Sequence, residues 1–369
     1  MSTIVPPVAA ATRPAWIEVD LGAIRRNVSR IRERLSPRTQ YLAVVKANGY
    51  GHGDVAVAQA ALEAGATWLG VVLVEEGVRL REAGIDAPIL LLHEPAPERA
   101  DEAIANDLTP VVFTERGAPG AAAAAGRAGR PVSVHVKIDT GLNRLGIPDR
   151  LLEPFLRVLA GAPRLEIEGA LSHFAFADEP GHHFIEEQTQ RFAAALETLA
   201  ANGIRPRLRH IANSAGTLTT PDTHYDMVRV GIATYGIAPG PQVEGIVDLE
   251  PALSLRAEVA MVKRVPAGEG VSYGLRYRLP REATIATLPL GYADGWQRAL
   301  SGKADVLIGG ARHRAVGTVC MDSFAVDCGD AEIAVGDEAV LIGKQGAEEI
   351  AAEDLADAIG TIGYEIVAG

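Results

Sequence analysis

Eight short apolar runs, most of them followed by a helix-sized segment, constrain the fold of this 369-residue chain more than any other feature. Alternation of this kind is typical of parallel strands joined by helical crossovers. The runs cover residues 41–46, 67–73, 88–93, 109–113, 132–138, 166–173, 208–211 and 227–230. The helical segments between them cover residues 55–66, 75–83, 118–128, 151–160 and 184–201. Eight such strands predict a (β/α)8 barrel with its site at the strands' C-terminal ends.

The pattern changes after residue 251, where short alternating runs separated by Gly, Pro and Asp replace the long helical segments. Only residues 350–359 show helical periodicity in that part of the chain. The fold class is therefore predicted as α/β, with a TIM-type barrel over residues 15–250 and a mostly-β domain over residues 251–369. Residues 1–14, which are rich in Pro and Ala, are predicted to be a disordered tail.

Composition excludes several classes of partner. The net charge of −12 opposes binding to a nucleic acid backbone. No apolar run reaches the length of a membrane span, and the first residues lack the pattern of a secretory signal. Two cysteines are too few for a disulfide framework and favour a reducing compartment. We expect a cytoplasmic enzyme with no membrane or nucleic acid partner and no metal ligand.

The first strand ends in a lysine. The stretch "YLAVVKANGYGHGD" places Lys46 at the end of an apolar run and Tyr50 in the glycine-rich loop that follows. Loss of water lowers the pKa of a lysine and makes its amine a nucleophile that can form a Schiff base with an aldehyde cofactor. Alternatively, Lys46 extends from the strand end into water, and Tyr50 packs over the loop instead of reaching a phosphate.

Charge also collects at the ends of the fifth and sixth strands. The stretch "VHVKIDTGLNRLG" carries Lys137, Asp139 and Arg144, a combination that suits an anionic ligand. An ordinary surface ion-pair cluster is the alternative. His173 ends the sixth strand in "EGALSHFAFAD", where a lone histidine is more often structural.

Hydrogen-bond donors follow the last two strands. "RHIANSAGT" supplies Asn213 and Ser214, and "MVRVGIATYG" supplies Gly231 and Ile232. Hydroxyl and backbone N–H groups after strands seven and eight form the phosphate site of many barrels. Arg229 on the eighth strand would need an acceptor, because an unpaired buried guanidinium is costly.

Three stretches of the C-terminal domain carry further candidates. They are "GEGVSYGLRY" with Tyr273, "PLGYADGWQRAL" with Tyr292, and "VGTVCMDSF" with Met321. Taken as residues alone, these are turn positions that nothing in the sequence attaches to the barrel site.

Together these stretches resemble the alanine racemases, a family of pyridoxal-phosphate enzymes with an N-terminal barrel and a C-terminal β domain. "AVVKANGYGHG" resembles the family's cofactor-lysine signature. "VKIDTGLNRLG", "HIANSAGT", "DMVRVGIATYG", "VSYG", "GYADG" and "VCMDSF" match further family stretches in the family's order. The resemblance extends from "AWIEVDLGAIRRN" to "GTIGYEI", which is nearly the whole chain.

The resemblance implies that Lys46 binds pyridoxal 5'-phosphate covalently and acts as the base on one face of the substrate. Tyr273 is implied to be the base on the opposite face, supplied by the other subunit of a homodimer with composite sites. Arg229 matches the arginine that contacts the pyridine nitrogen, and His173 would link it to Tyr273. The full set of predicted cofactor-binding residues is Lys46, Tyr50, His173, Asn213, Ser214, Arg229, Gly231, Ile232 and Tyr364.

The resemblance also assigns residues to the substrate, which is implied to be alanine. Arg144 and the backbone N–H of Met321 would bind its carboxylate, and Tyr292 would narrow the pocket. Lys137 matches a lysine that can be carbamylated and would then hold Arg144. The chain departs from the family at "GYEIVAG", beyond which family members usually continue to an RVPR-like ending. Gly363 also stands where an asparagine or proline often precedes the tyrosine that matches Tyr364.

The predicted function is the two-base interconversion of L-alanine and D-alanine, which supplies D-alanine for peptidoglycan. Three alternatives remain open from the sequence. They are a racemase of serine or basic amino acids, a basic amino-acid decarboxylase of the same architecture, and a non-catalytic carrier of the cofactor.

Overall fold

The computed structural model describes residues 13–369, and the chain divides into two compact units. One unit is Ala23–Glu250, and the other combines residues 13–22 with Pro251–Gly369. Most of the predicted disordered tail, residues 1–12, lies outside the described residues. The predicted barrel boundary at residue 15 differs from this division. Strand Ala15–Val19 pairs antiparallel with Leu253–Glu258, and this pairing places residues 13–22 in the β unit.

The unit Ala23–Glu250 is an eight-stranded parallel barrel, as the sequence predicted. Its strands in chain order are Gln40–Val44, Trp68–Val71, Ile89–Leu91, the fourth strand in two pieces (Leu108–Thr109 and Val111–Val112), Val132–Asp139, Leu165–Leu171, Leu208–His210 and Met227–Val230. Pro110 divides the fourth strand because proline has no N–H to donate. The eighth strand pairs with the first, which closes the ring. A short strand, Ile147–Pro148, pairs with the end of the fifth.

All five helices predicted for the barrel occur, with bounds shifted by one to three residues. They are Asp54–Glu63, Val74–Glu82, Gly117–Ala128, Leu152–Ala160 and His183–Ala201. Leu21–Arg32, Ala100–Ala105 and Ser214–Thr219 are further helices that the prediction did not include. The last two are too short for periodicity to reveal. None of the helices in residues 13–369 is long and apolar enough to cross a membrane.

Strand alternation decides which side chains point into the barrel. Eight buried residues from seven of the strands pack against one another inside it: Leu42 and Val44 from the first strand, and Trp68, Leu90, Val111, Leu171, Leu208 and Met227 from the others. Because side chains alternate along a strand, the residue two positions beyond each of these points the same way. Lys46, His173 and Arg229 therefore follow Val44, Leu171 and Met227 on the inward face, toward the C-terminal end of the barrel.

The second unit is built on a nine-stranded, mainly antiparallel sheet. In chain order its strands are Ala15–Val19, Leu253–Glu258, Met261–Val265, Ala283–Leu288, Asp305–Ile308, Ala311–Val316, Phe324–Asp327, Glu338–Gln345 and Glu348–Ile350. Gly270–Val271 and Tyr277–Arg278 form a separate hairpin. Helices Ala352–Ile359 and Gly363–Ala368 follow the sheet. The predicted mostly-β domain is confirmed, and Trp296 stacks on Phe324 in its core with ring centroids 5.2 Å apart.

Candidate active site

Lys46 begins a left-handed turn at the end of the first barrel strand. Ala47, Asn48 and Gly49 have φ values of 52°, 53° and 61°, and Tyr50 continues the run with φ 51°. L-residues rarely adopt this conformation, which costs about 1–2 kcal/mol per non-glycine residue. Gly49 is required here, since a Cβ at that position would lie 3.1 Å from the backbone N of Asp54. The predicted glycine-rich loop is therefore a compact, strained turn that begins at the lysine.

A buried carboxylate holds this turn in place. Glu76 accepts a hydrogen bond from the N–H of Ala47 at 2.7 Å. Its other oxygen accepts from the N–H groups of Val72 at 2.8 Å and Leu73 at 3.0 Å. One side chain thus joins the loop after the first strand to the loop after the second, and the hydrogen bonds to a charged acceptor offset part of the backbone strain.

The amine of Lys46 is partly withdrawn from water. Burial lowers the pKa of Lys46 below its usual value, and the nearby charge of Arg144 lowers it further, while Glu76 opposes both effects. Desolvation disfavours the ammonium form. The result is an amine at the barrel mouth with a larger neutral, nucleophilic fraction than an exposed lysine has.

Three loops form a small cradle of hydrogen-bond donors. A Cβ on Gly231 would lie 2.5 Å from the hydroxyl oxygen of Tyr50, so only glycine lets the tyrosine approach this backbone. The Oγ of Ser214 accepts a hydrogen bond from the Gly231 N–H at 2.9 Å, which leaves the serine O–H as a donor. Ile232 begins a 3-10 helix, Ile232–Tyr235, whose first N–H groups have no partner within the helix. These donors suit an oxyanion.

Asn213 caps a helix, unlike the hydrogen-bond donors beside it. Its side-chain oxygen accepts a hydrogen bond from the N–H of Gly216 at 3.0 Å and caps the helix Ser214–Thr219. Asn213 therefore positions Ser214 through the backbone, and its amide oxygen is already occupied. Tyr50 packs against Tyr235 with ring centroids 4.8 Å apart, and burial raises the pKa of Tyr50 to about 12.

Arg229 is almost completely buried within the barrel and has only uncharged partners. Its two terminal nitrogens donate to backbone oxygens of Ser172, His210 and Ile211 and to the Nδ1 atoms of His173 and His210, at 2.7–3.1 Å. These contacts use the four N–H groups of Nη1 and Nη2. Among the described residues no acceptor takes the Nε–H, which remains available to a bound molecule. Burial lowers the pKa of Arg229 to about 9, so the guanidinium stays charged at neutral pH.

The contacts of Arg229 fix the tautomers of its histidine neighbours. A guanidinium can only donate, so the Nδ1 atoms of His173 and His210 must accept and their protons must lie on Nε2. The Nε2 of His210 in turn lies 2.9 Å from the Nδ1 of His135. Because His210 donates from Nε2, the Nδ1 of His135 accepts, and the proton of His135 also lies on Nε2. Burial, followed by the charge of Arg229, holds the pKa of His173 well below its usual value. His173 is therefore neutral, with its Nε2 proton directed away from Arg229.

Lys137 is the second lysine of the barrel interior. It is 7% exposed, and its Nζ donates to the carbonyl oxygen of Leu92 at 2.8 Å. Burial, together with the charges of Arg229, Arg144 and Lys46, lowers the pKa of Lys137 to about 7. A substantial fraction of this amine is therefore neutral at physiological pH.

Arg144 lies on an exposed loop that Asp139 organises. The carboxylate of Asp139 accepts from the N–H groups of Gly141 at 2.9 Å and Asn143 at 3.1 Å. Within residues 13–369, Arg144 forms no ion pair with a carboxylate, so the predicted alternative of a surface ion-pair cluster does not describe this loop. Its charge nevertheless lowers the pKa values of Lys46, Lys137 and His173.

In the β unit, the structure brings three of the predicted stretches together. The N–H of Tyr292 donates to the Cys320 oxygen at 3.1 Å, next to Met321. The hydroxyl of Thr318 donates to the Tyr273 oxygen at 2.9 Å. Tyr273, Met321 and Tyr292 are 76%, 58% and 42% exposed. Tyr364 is half-buried on the helix Gly363–Ala368.

Sequence reasoning missed three buried residues that hold other site residues in place through side-chain contacts. Glu76, His135 and His210 carry no motif of their own. Strand alternation offered a signal for the last of them, since His210 follows the inward Leu208 by two residues. Glu76 lies within a predicted helix, and nothing in the sequence shows that its carboxylate turns toward two loops.

Two family models match the chain. The model for "Alanine racemase, N-terminal domain" matches residues 19–239, and the model for "Alanine racemase, C-terminal domain" matches residues 252–369. Together they cover almost all of the residues that the structure describes.

Individual proteins are also similar to this chain over nearly its whole length. The alanine racemase of Symbiobacterium thermophilum is 49% identical over 358 residues, with 97% of this chain and 95% of the relative covered. The crystal structure of alanine racemase from Bacillus anthracis with bound L-Ala-P matches with a TM-score of 0.93 at 42% identity, covering 98% of this chain and 93% of that one. A histidine racemase from Leuconostoc mesenteroides matches with a TM-score of 0.87 at 29% identity, covering 97% and 96% of the two chains.

The low pKa of Lys137 predicts that the unfolding free energy of the protein depends on pH. Between about pH 7 and 10.5 the unfolded chain binds this proton and the folded chain does not, so this group raises the unfolding free energy as pH increases. The substitution Lys137→Met removes that dependence. We therefore compare the unfolding free energy of the variant minus that of the parent at two pH values. This difference should be roughly 3 kcal/mol larger at pH 6 than at pH 9.5.

Urea unfolding in carbon-dioxide-free buffer at the two pH values measures this difference. The exposed Lys303 provides the matched control, and Lys303→Met should differ from the parent equally at both pH values. A difference between parent and Lys137→Met that is the same at both pH values would show that Lys137 is protonated throughout.

Proposed function

Because the chain belongs to the alanine racemase family, and is therefore an isomerase, we propose that it interconverts L-alanine and D-alanine with pyridoxal 5'-phosphate as its cofactor. The observation that carries the proposal is the partly desolvated amine of Lys46 at the barrel mouth, with an oxyanion cradle and a buried guanidinium on the strands beside it. An amine, an anion site and a ring-nitrogen partner are the three contacts that this cofactor needs.

The residues present fit the cofactor. Its phosphate suits the hydroxyl groups of Tyr50 and Ser214 and the N–H of Ile232, and the close approach of Tyr50 to Gly231 shapes this cradle. Its aldehyde suits the amine of Lys46, whose lowered pKa favours the neutral form that attacks a carbonyl. We also assign Asn213 to the phosphate site, because it caps the helix that begins at Ser214. Tyr364 is proposed to contact the phosphate, as the resemblance implies.

When bound, pyridoxal phosphate accepts the electron pair left behind when the substrate loses its α-proton. Arg229 would hold the ring nitrogen through its remaining N–H. A guanidinium donates a hydrogen bond without giving up the proton, so the ring nitrogen stays unprotonated. This arrangement moderates electron withdrawal from the α-carbon and limits side reactions.

Racemisation requires one acid–base group on each face of the substrate. We assign Lys46 to one face and Tyr273 to the other, each acting as base for one enantiomer and as acid for its mirror image. The tautomer of His173 supports the second assignment, since its Nε2–H is a donor that can bind the phenolate oxygen of Tyr273. Such a hydrogen bond stabilises the deprotonated phenol.

The remaining predicted residues bind and orient the substrate. Arg144 and the backbone N–H of Met321 hold the carboxylate, and Tyr292 restricts the pocket to a small side chain. We propose that Lys137 is carbamylated. Carbon dioxide reacts with neutral amines, and the pKa of about 7 provides one at physiological pH. The resulting negative charge would hold Arg144, which has no carboxylate partner among the described residues.

We propose that the active form is a homodimer in which Tyr273 and Met321 complete the site of the other subunit. Their exposure supports this, since large exposed apolar side chains grouped on one surface mark an interface. Both cysteines, Cys320 and Cys328, are free thiols, which suits the cytoplasm. There the enzyme would supply D-alanine for peptidoglycan.

A chiral assay of the cofactor-loaded protein tests the proposed reaction. L-Alanine should yield D-alanine, and Lys46→Ala should lower the rate by about a thousandfold because one acid–base group and the cofactor attachment are lost. L-Serine, L-histidine and L-lysine are assayed in parallel. Selective turnover of one of these would support the racemase of larger amino acids, and an amine product would support the decarboxylase. A cofactor-coloured protein that changes none of the four would be a carrier.

Mixed dimers test whether the sites are composite. Lys46→Ala and Tyr273→Phe should each be inactive, but a heterodimer of the two contains one site with both bases intact. Random reassociation should restore about one quarter of the parental specific activity. A mixture of Lys46→Ala with Lys46→Met is the control and should restore none. Heterodimers isolated by two affinity tags that remain inactive would show that both bases come from one subunit.

A further inference from the structure

The backbone immediately before Tyr273 adopts a conformation that almost only glycine occupies. Ser272 has φ 61° and ψ −173°. In this region the Cβ of an L-residue clashes with its own backbone, and non-glycine residues remain there only where their surroundings hold them. Strain of this kind clusters at functional sites, where it sets the direction of a reactive group.

Two hydroxyl groups hold the strained residue from opposite sides. The Oγ of Ser272 donates to the carbonyl oxygen of Thr318 at 2.6 Å. The Oγ1 of Thr318 donates to the carbonyl oxygen of Tyr273 at 2.9 Å. Each residue therefore donates its side-chain proton to the main chain of the other segment. We call this reciprocal pair the Ser272–Thr318 clamp.

The surroundings leave the clamp little freedom. Thr318 is 4% exposed. A Cβ on Gly317 would lie 2.7 Å from the oxygen of Val271, so glycine is needed for the two segments to come this close. The returning strand of the hairpin is fixed by Tyr277, whose hydroxyl donates to Asp327 at 2.5 Å. The main chain on both sides of Tyr273 is therefore fixed, while its own side chain is 76% exposed.

The choice of residue at position 272 is informative. Glycine would adopt this backbone without strain. Serine accepts the strain and adds a hydroxyl, which donates to the Thr318 oxygen at 2.6 Å and also lies 3.4 Å from the Sγ of Cys320. A hairpin that served only as a connection would not need the clamp, because Tyr277 and the buried Val271 already anchor both of its strands.

We propose that Ser272 and Thr318 are positioning residues that fix the main chain of Tyr273, so that its phenol is presented in one direction for proton transfer. The inference rests on the proposed function, in which Tyr273 is one of two opposed bases. Loss of either hydroxyl lets the tyrosine main chain turn away and slows proton transfer on the tyrosine face. Proton transfer by Lys46 on the other face is unaffected.

The test uses isotope effects, because they separate the two faces. The equilibrium constant of racemisation is one, so kcat/KM must change equally in both directions whatever the cause. The α-deuterium isotope effect with one enantiomer of alanine reports removal of the proton by Tyr273, and the effect with the other enantiomer reports removal by Lys46. The variants are Ser272→Gly and Thr318→Val, and Thr318→Ser keeps the hydroxyl.

Ser272→Gly and Thr318→Val should each lower kcat by about tenfold or more, since small displacements of an acid–base group are costly. The isotope effect should rise with one enantiomer of alanine, the one that Tyr273 deprotonates, and fall with the other. Thr318→Ser should restore both toward the parent. Thr223→Val is the matched control, because Thr223 is also buried and donates one hydroxyl proton to a carbonyl, that of Thr220 at 2.8 Å, on the approach to the eighth strand. This control should leave both isotope effects unchanged.

The outcomes separate this inference from the proposed function. If Tyr273→Phe retains racemisation, the two-base proposal is wrong and the clamp has no tyrosine to position. If Tyr273→Phe is inactive but the clamp variants alter both isotope effects equally or not at all, the clamp is structural and the inference alone is overturned. Ser272→Gly and Thr318→Val break the clamp from opposite sides, so either folded variant suffices for the test.

Discussion

Loss of water around basic side chains is the constraint on which the candidate site depends. Lys46, Lys137 and Arg229 lie within the upper part of one barrel, and burial lowers the pKa of each. The charges of Arg229 and Lys46 lower the pKa of Lys137 further. Glu76 is a buried carboxylate close to this group, but its oxygens bind backbone N–H groups. The two amines consequently respond by losing protons, whereas the guanidinium keeps its charge. One environment thus yields two reactive amines and one fixed cation.

The second feature of the molecule is backbone strain beside reactive side chains. Residues 47–51 all have positive φ and follow Lys46 directly, and Ser272 precedes Tyr273. Each strained segment is held by side-chain hydrogen bonds, from Glu76 in the barrel unit and from Thr318 in the β unit. Strain of about 1–3 kcal/mol per residue persists only in surroundings that determine the conformation fully. Both proposed bases are therefore attached to main chain that has little freedom to move.

Much of the fold could be predicted from the sequence, because barrel strands are mostly apolar and most of their helices are long enough to show periodicity. The strands predicted at residues 132–138 and 227–230 match Val132–Asp139 and Met227–Val230 closely. The N-terminal boundary was not predictable in the same way. Residues 15–19 were not predicted as a strand, and their pairing with Leu253–Glu258 joins residues far apart in the chain.

The position of a candidate site residue in the fold was predictable where it lies near a strand end or a motif marks it, as for Lys46, Lys137 and Ser214. It was not predictable where function depends on a partner across the barrel. The tautomers of His173 and His210 follow from contacts with Arg229, and these depend on strand alternation and ring closure together. The positive φ of Ser272 is likewise invisible in "VSYG", because serine gives no sign of a conformation that glycine would mark.

The measurement that tests the central claim most directly is chemical identification of the lysine that holds the cofactor. The protein is loaded with pyridoxal phosphate, reduced with sodium borohydride to make the bond permanent, digested and analysed by mass spectrometry. If burial at the barrel mouth prepares Lys46 for this bond, the added mass will lie on the peptide containing Lys46 and will be absent from Lys46→Ala. Added mass on the peptide of Lys137, or on neither, would contradict the account.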